Sequence, residues 1–343
     1  MTKQIKAKFM EVCGTHTFAI AKFGIKNIYS ETIDFLSGPG CPVCVTSQED
    51  IDYIIELAKN QDNIIVSFGD MIRVPSSDLE ISLEKLPQDN IKIIYSVTEV
   101  LNIAINNCKK NVIFIAVGFE TTSPLVASII IQAKAKKIKN FYIFSALKTI
   151  IPALDSLLQS KQLDVGGFLL PGHVCAVIGY KPFEFISNKY NIACVVAGFT
   201  HTTLKTAIDN LYNMYIQKNY KLLNCYDSVV SENGNPIAQY IVKKVFTQAN
   251  ALWRGLGDIK NSGLQLNKQY ENFNILNKFK RLNRKTDNQN TCICGKLFTG
   301  KYKPTDCQNF AKKCTPVTPI GPCMVSSEGV CASYYKYGEH NDK

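Results

Sequence analysis

Six short apolar runs, rich in β-branched and aromatic residues, constrain the fold of this chain more than any other feature. They are "NIIVSF" (63–68), "IKIIYS" (91–96), "NVIFIAV" (111–117), "NFYIFSA" (140–146), "VGGFLL" (165–170) and "IACVVAGF" (192–199). A strand with one wet face alternates apolar and polar residues, whereas a near-continuous apolar run suits a strand covered on both faces. Helical patterns lie between the runs. Over 47–59, Ser47 is placed to cap a helix whose Ile51, Ile54, Ile55 and Ala58 recur on one face. A second helix is expected from Ser123-Pro124, with serine as cap and proline in the first turn. The sum is an α/β chain with mostly parallel sheets.

The spacing of the runs allows two smaller sheets, with a break near 125–140. The expected division is a first α/β domain over 1–130, a second over 131–245 and a cysteine-rich segment over 246–343, with a helical stretch at 236–252 leading into it. Ligands in doubly wound folds sit outside the carboxyl ends of the strands. "GDMIR", "GFETTSP" and "PGHVCAVIG" each follow a strand run, so they are expected to converge on one cleft.

Composition narrows the class. With 46% hydrophobic and 20% charged residues, the 343-residue chain is an ordinary globular one. No apolar run approaches the roughly 18–20 residues of a membrane span, and the N-terminus lacks a signal-like segment, so a cytoplasmic protein is expected. The net charge of +11 invites a nucleic-acid reading. Most of the excess is scattered lysine, however, and the single dense basic stretch, "NKFKRLNRKTD" (277–287), falls in a connector. Binding to nucleic acid is therefore not expected.

Thirteen cysteines in a reducing compartment point to metal or thiol chemistry, not to a disulfide framework. Six of them, Cys292, Cys294, Cys307, Cys314, Cys323 and Cys331, crowd a tail with little apolar periodicity, which a metal centre would stabilise. Zinc ribbons carry paired Cys-x-x-Cys knuckles, and the tail has none. An iron-sulfur cluster tolerates wider spacing. Cys294, Cys307, Cys314 and Cys331 form one ligand set, with Cys323 or Cys292 as substitutes. Near the N-terminus, "SGPGCPVCVT" sets Cys41 and Cys44 ahead of the helix capped by Ser47, where a helix N-terminus favours a thiolate. That pair suits a redox couple, half of a metal site or a structural turn. "EVCGTHT" adds Cys13 and His16, a thiolate and an imidazole of the types that hold iron or zinc.

Taken together, "MEVCGTHT", "SGPGCPVCVT", "FGDMIRVP", "VGFETTSP", "PGHVCAVIG", "WRGLG" with "SGL", "PTDC" and "CTPVTPIGPCMVSSEGVCASYY" resemble the signature segments of the HypD family of hydrogenase maturation factors, in the family's order over residues 10–337. The resemblance implies two similar doubly wound α/β domains and a third holding a 4Fe-4S cluster. It implies a scaffold for the Fe(CN)2CO moiety of nickel-iron hydrogenases. The scaffold would work as a monomer until it joins a small chaperone, HypC, and a cyanide carrier, HypE. By the same resemblance Cys13 holds the iron, Cys41 and Cys44 cycle between dithiol and disulfide, and His16, Glu120 and His173 line the central cleft. Read from the residues alone, Glu120 could equally be a helix-start carboxylate. "VVAGFTHTTL" departs from the family pattern at Thr200 and His201, so His201 takes no family role and reads as a surface histidine. The rival function is a general iron-sulfur-dependent protein disulfide reductase.

Overall fold

All six apolar runs fold as strands in the computed structural model, which describes residues 6–79, 81–160, 163–281 and 291–338. They are β3 (Asn63–Phe68), β4 (Ile91–Ile94), β5 (Asn111–Gly118), β6 (Phe141–Leu147), β7 (Gly167–Pro171) and β8 (Ala193–Ala197). The chain adds β1 (Ala7–Glu11), β2 (Ile33–Ser37), β9 (Leu222–Asn224) and a hairpin of β10 (Phe246–Trp253) and β11 (Gly257–Leu266). A first parallel sheet has the order β2-β1-β7-β8-β9, and a second has β4-β3-β5-β6. In each sheet the first two strands to form swap places and the later ones follow in sequence. The two therefore share one doubly wound layout, with a crevice where the order reverses: between β1 and β7 in one, between β3 and β5 in the other.

The sheets do not follow the division at residue 130. Strands β1 and β2 cross over to join the sheet of residues 167–224, and β6 lies beyond the expected break yet pairs with β5 from Val112↔Phe141 to Gly118↔Leu147. The reason lies in β1: Phe9 buries on one face of the first sheet with Phe35, Leu169 and Val195, while Met10 buries on the other with Leu36, Phe168 and Val196. A strand apolar on both faces belongs at a sheet's centre.

The second sheet likewise presents Ile64, Val66, Val112 and Phe114 to its own helices, while Ile65, Ile113 and Ile115 join a cluster shared with the first sheet and the tail. That shared core takes in Leu297, Phe298, Met324, Val325 and Val330. Each such side chain contributes on the order of 1.5–3 kcal/mol when buried. Docking onto the sheets thus gives the tail the apolar burial that its own sequence lacks.

The capped helix forms as expected over Gln48–Lys59, with Ser47 Oγ accepting the Asp50 N–H at 3.1 Å. The helix from Ser123 runs to Ala135, but Ser123 is its first residue and not its cap; its hydroxyl donates to Glu120 O at 3.2 Å. The helical stretch expected over 236–252 ends at Val245. Beyond it, β10 is held by β11, which lies along β6 through the Ser145 hydroxyl on Leu264 O and the Lys148–Gly263 bridge. Sheet context overrides local preference there. Among the described residues, no helix is long and apolar enough to cross a membrane. The basic stretch after Arg281 lies outside the described residues; within them, Arg281 pairs with Asp50 at 2.7 Å and Lys278 donates to Asn111.

Candidate thiol and metal centre

Loops at the carboxyl ends of β1, β2 and β3 meet the cysteine-rich tail. Cys13 follows β1 and occupies the cap position of the helix Gly14–Lys22. The glycine-rich loop after β2 lies directly on it: a Cβ at Gly40 would stand 2.4 Å from Cys13 N, and Gly14 N–H donates to Gly40 O at 3.0 Å. Only glycine permits that approach. The same loop then turns into the short helix Pro42–Val45, whose cap is Cys41, with its sulfur accepting the Cys44 N–H at 3.2 Å. Cys13, Cys41 and Cys44 are thereby brought to one buried place.

Burial decides the thiol chemistry. Cys13 is pushed up to about 11, first by desolvation and then by the nearby Glu328 carboxylate. Cys44 is raised well above the ordinary thiol value, again chiefly by burial. The expectation that the N-terminus of the helix capped by Ser47 would favour a thiolate does not hold for Cys44: the helix dipole does not offset full desolvation. The Cys41 thiol donates to Ser326 Oγ at 3.5 Å, and Ser326 donates on to Asp70 Oδ2 at 2.9 Å. This chain of partners leads from the thiol pair to the loop after β3.

His16 is buried, and its Nε2–H faces the carbonyls of Ala197 and Gly198 at 3.2 and 3.1 Å. Burial lowers its pKa to about 4, so the ring is neutral at pH 7. Donation from Nε2 leaves the lone pair on Nδ1, which is buried and has no partner among the described residues. Phe199 stacks between His16 and His173, with centroids 4.6 and 3.7 Å away. His201 is exposed at the start of the helix His201–Ile216, edge-on to Phe23.

Glu120 follows β5 and is buried. Its Oε1 accepts the N–H of Ile150, the first residue of the helix Ile150–Gln159, at 2.8 Å, so it does cap a helix. Its Oε2 is buried without a partner among the described residues, and desolvation raises its pKa from 4.5 to about 7. The folded state thus binds a proton that the unfolded state releases between these two values. This contribution to stability is present below pH 4.5, declines as pH rises and is gone above about 7. Glu120→Gln is expected to remove that decline, gaining about 3 kcal/mol over the native protein between pH 4.5 and 8. Urea unfolding of both proteins at the two pH values checks it; parallel behaviour would refute the shift.

The six tail cysteines line one small pocket with Ile293, Phe310, Gly321 and Met324. Cys323 makes thiol contacts with both Cys44 and Cys294, and Cys294 with Cys292. A row of sulfur therefore runs from Cys41 through Cys44, Cys323 and Cys294 to Cys292. The charge on Cys331 is felt against Cys292, Cys294, Cys307 and Cys314, while Cys314 is opposed by Cys292 and Cys307. Among the described residues, no group of three or more His, Cys, Asp or Glu is arranged to hold a single metal ion. The donor set itself is all thiol, free of carboxylate or imidazole, which fits an iron-sulfur group.

Sequence reasoning missed four residues. Glu328 accepts from Thr15 Oγ1 at 2.6 Å beside Cys13, Ser326 and Asp70 partner Cys41, and Cys175 is buried within the fields of Cys13 and Glu120. All four stand inside the quoted signatures "VSSEGVC", "FGDMIRVP" and "PGHVCAVIG", so membership of those segments was the available signal.

Comparison with known proteins returns one family. The model described as "HypD: Hydrogenase formation hypA family" matches residues 1–338. The hydrogenase maturation factor HypD of Escherichia coli is 38% identical over 343 residues, which cover 100% of this chain and 92% of that protein. A putative hydrogenase expression/formation protein of Methanocaldococcus jannaschii is 38% identical over 332 residues, 97% of this chain and 92% of its own. The HypD of Cupriavidus necator is 37% identical over 342 residues, with 97% and 90% covered.

Proposed function

Because the chain belongs to the HypD family of hydrogenase formation proteins, we propose that it is the scaffold and redox protein on which the Fe(CN)2CO moiety of a nickel-iron hydrogenase is assembled. The observation that carries the reading is the contact of the Cys41–Cys44 pair with the tail sulfurs, Cys44 touching Cys323, on the same loop that packs against Cys13. The iron is cargo, and Cys13 is its anchor on this chain. A thiolate suits low-spin iron with strong-field ligands. His16, with its Nδ1 lone pair free and buried, shapes the same cleft, and His173 holds Phe199 from the outer side.

The Cys41–Cys44 pair is the exchange partner. Its conversion to a disulfide releases two electrons and two protons, and the Ser326–Asp70 chain gives the Cys41 proton a path. A 4Fe-4S cluster bound by the tail would supply or accept electrons one at a time. Cys307, Cys314 and Cys331 hold it together with a fourth thiol. Cys292 is favoured over Cys294 for that place, because Cys314 is opposed by Cys292 and Cys307, whereas Cys294 is also engaged by Cys323. The chaperone HypC and the cyanide carrier HypE are the partners of this reading, and the cytoplasm is its compartment.

Burial disfavours the rival. Cys41 and Cys44 are 4% and 0% exposed, so a general reductase's protein disulfide has no direct approach to them. The test is anaerobic purification. About four irons per chain with broad visible absorption are expected, as a cubane requires. Cys307→Ala and Cys314→Ala are expected to abolish that absorption. Zinc in place of iron, or a full cluster in both variants, would overturn the assignment.

A further inference from the structure

We propose that Arg254 tunes the sulfur site electrostatically, its guanidinium bridging the thiol-pair loop and the edge of the tail that carries Cys292 and Cys294. This role rests on the cluster reading above. Arg254 lies in the turn between β10 and β11, within the "WRGLG" segment. Its main-chain N–H donates to Val45 O at 2.9 Å, its Nε–H to Thr46 O at 2.9 Å and its Nη1 to Gln48 Oε1 at 3.0 Å. Three contacts thus fasten it to the residues directly after Cys44.

The fourth nitrogen differs. Nη2 is buried and has no partner among the described residues. Leaving such a donor unmade is unfavourable, so an acceptor at that place is needed. Arg254 lines a cleft with Gln48, Cys292, Cys294 and Gly295, and Glu49 and Lys296, one charge of each sign, also line it. The two turns touch: a Cβ at Gly255 would stand 2.2 Å from Gly295 Cα. The guanidinium charge offsets part of the mutual repulsion of Cys292 and Cys294. No neutral side chain would do this.

A cation beside a cluster favours its reduced form, because reduction adds negative charge, and hydrogen bonds to the sulfurs act in the same direction. Arg254 therefore raises the potential of the tail site, from a position fastened to the segment directly after the thiol pair. Charge, more than shape, carries the effect.

Redox titration of the anaerobic holoprotein, followed by visible absorption, tests it. Arg254→Gln is expected to lower the ratio of reduced to oxidised cluster at fixed potential about tenfold, which is 59 mV for one electron. Gln48→Glu, which keeps the guanidinium but sets a carboxylate on Nη1, is expected to shift the ratio the same way. Arg254→Lys should stay within about threefold of the native protein, since it keeps the charge. A full cluster with an unmoved potential in both Arg254→Gln and Gln48→Glu would overturn this role and leave the cluster reading intact. Loss of the cluster in Arg254→Lys or Gln48→Glu would mark a purely structural arginine and overturn it too. Native protein without cluster absorption would overturn the cluster reading itself.

Discussion

Replacing Cys13 by alanine is expected to abolish the cyanide and carbonyl infrared bands of the complex with the small chaperone, and to lower iron held there by about tenfold or more. The side chain is buried at the crevice between β1 and β7, against the Gly40 backbone on one side and the Glu328 turn on the other. Alanine fits that space without strain, so the fold should survive. The Cys41–Cys44 disulfide should still titrate, because Cys41 keeps Ser326 and Cys44 keeps Cys323. A Cys13→Ala protein with the full infrared signature would refute the anchoring role, whereas loss of both the bands and the thiol couple would indicate that the variant has lost its fold.

Cys44→Ala is expected to have the complementary effect. The two-electron thiol couple should disappear, and hydrogenase maturation should fall by about a hundredfold or more, since a single thiol has no intramolecular exchange partner. The tail absorption should persist, because the thiol that Cys44 contacts in the tail is Cys323, which lies outside the proposed ligand set. Maturation at the native level would refute the redox role. Thiol counting under denaturing conditions, with and without oxidant, separates this result from simple loss of protein.

The strands legible in the sequence were those apolar on both faces, and β3 to β8 all fall on such runs. Strand β1 was not, because "AKFME" mixes Lys8 and Glu11 with Phe9 and Met10, and its partners lie far along the chain. The hairpin escaped for a related reason: Thr247 and Gln248 face water, and pairing with β11 makes a strand of that segment. In the candidate site, Cys41 and Cys44 stood out as candidates because two thiols at tight spacing in a glycine-rich loop invite a chemical reading, and Cys13 because His16 follows it closely. Ser326 and Asp70 were not, since a serine and an aspartate gain a role beside Cys41 only when segments more than 250 residues apart are folded together. The burial of Cys44 reversed an electrostatic expectation for the same reason: the side chains that desolvate it come from the rest of the fold.

The C-terminal helix Val330–Tyr337 lies on the helix Gly14–Lys22, with Phe18 edge-on to Tyr337 at 5.7 Å and Thr15 bonded to Glu328. During synthesis the two ends of this contact leave the ribosome far apart in time. At about 5–20 residues per second, the N-terminal cysteine loop waits tens of seconds for the turn that covers it. The first sheet waits as well, because its central strand β1 pairs with β7 only after some 150 residues more have emerged. A nascent chain therefore presents three separate thiols and no finished pocket, and a metal ion met at that stage finds no enclosing site. Synthesis of the Glu328 turn and the helix after it is itself the step that covers the N-terminal cysteine loop, so the timing of the site is set by chain order and not by a separate signal.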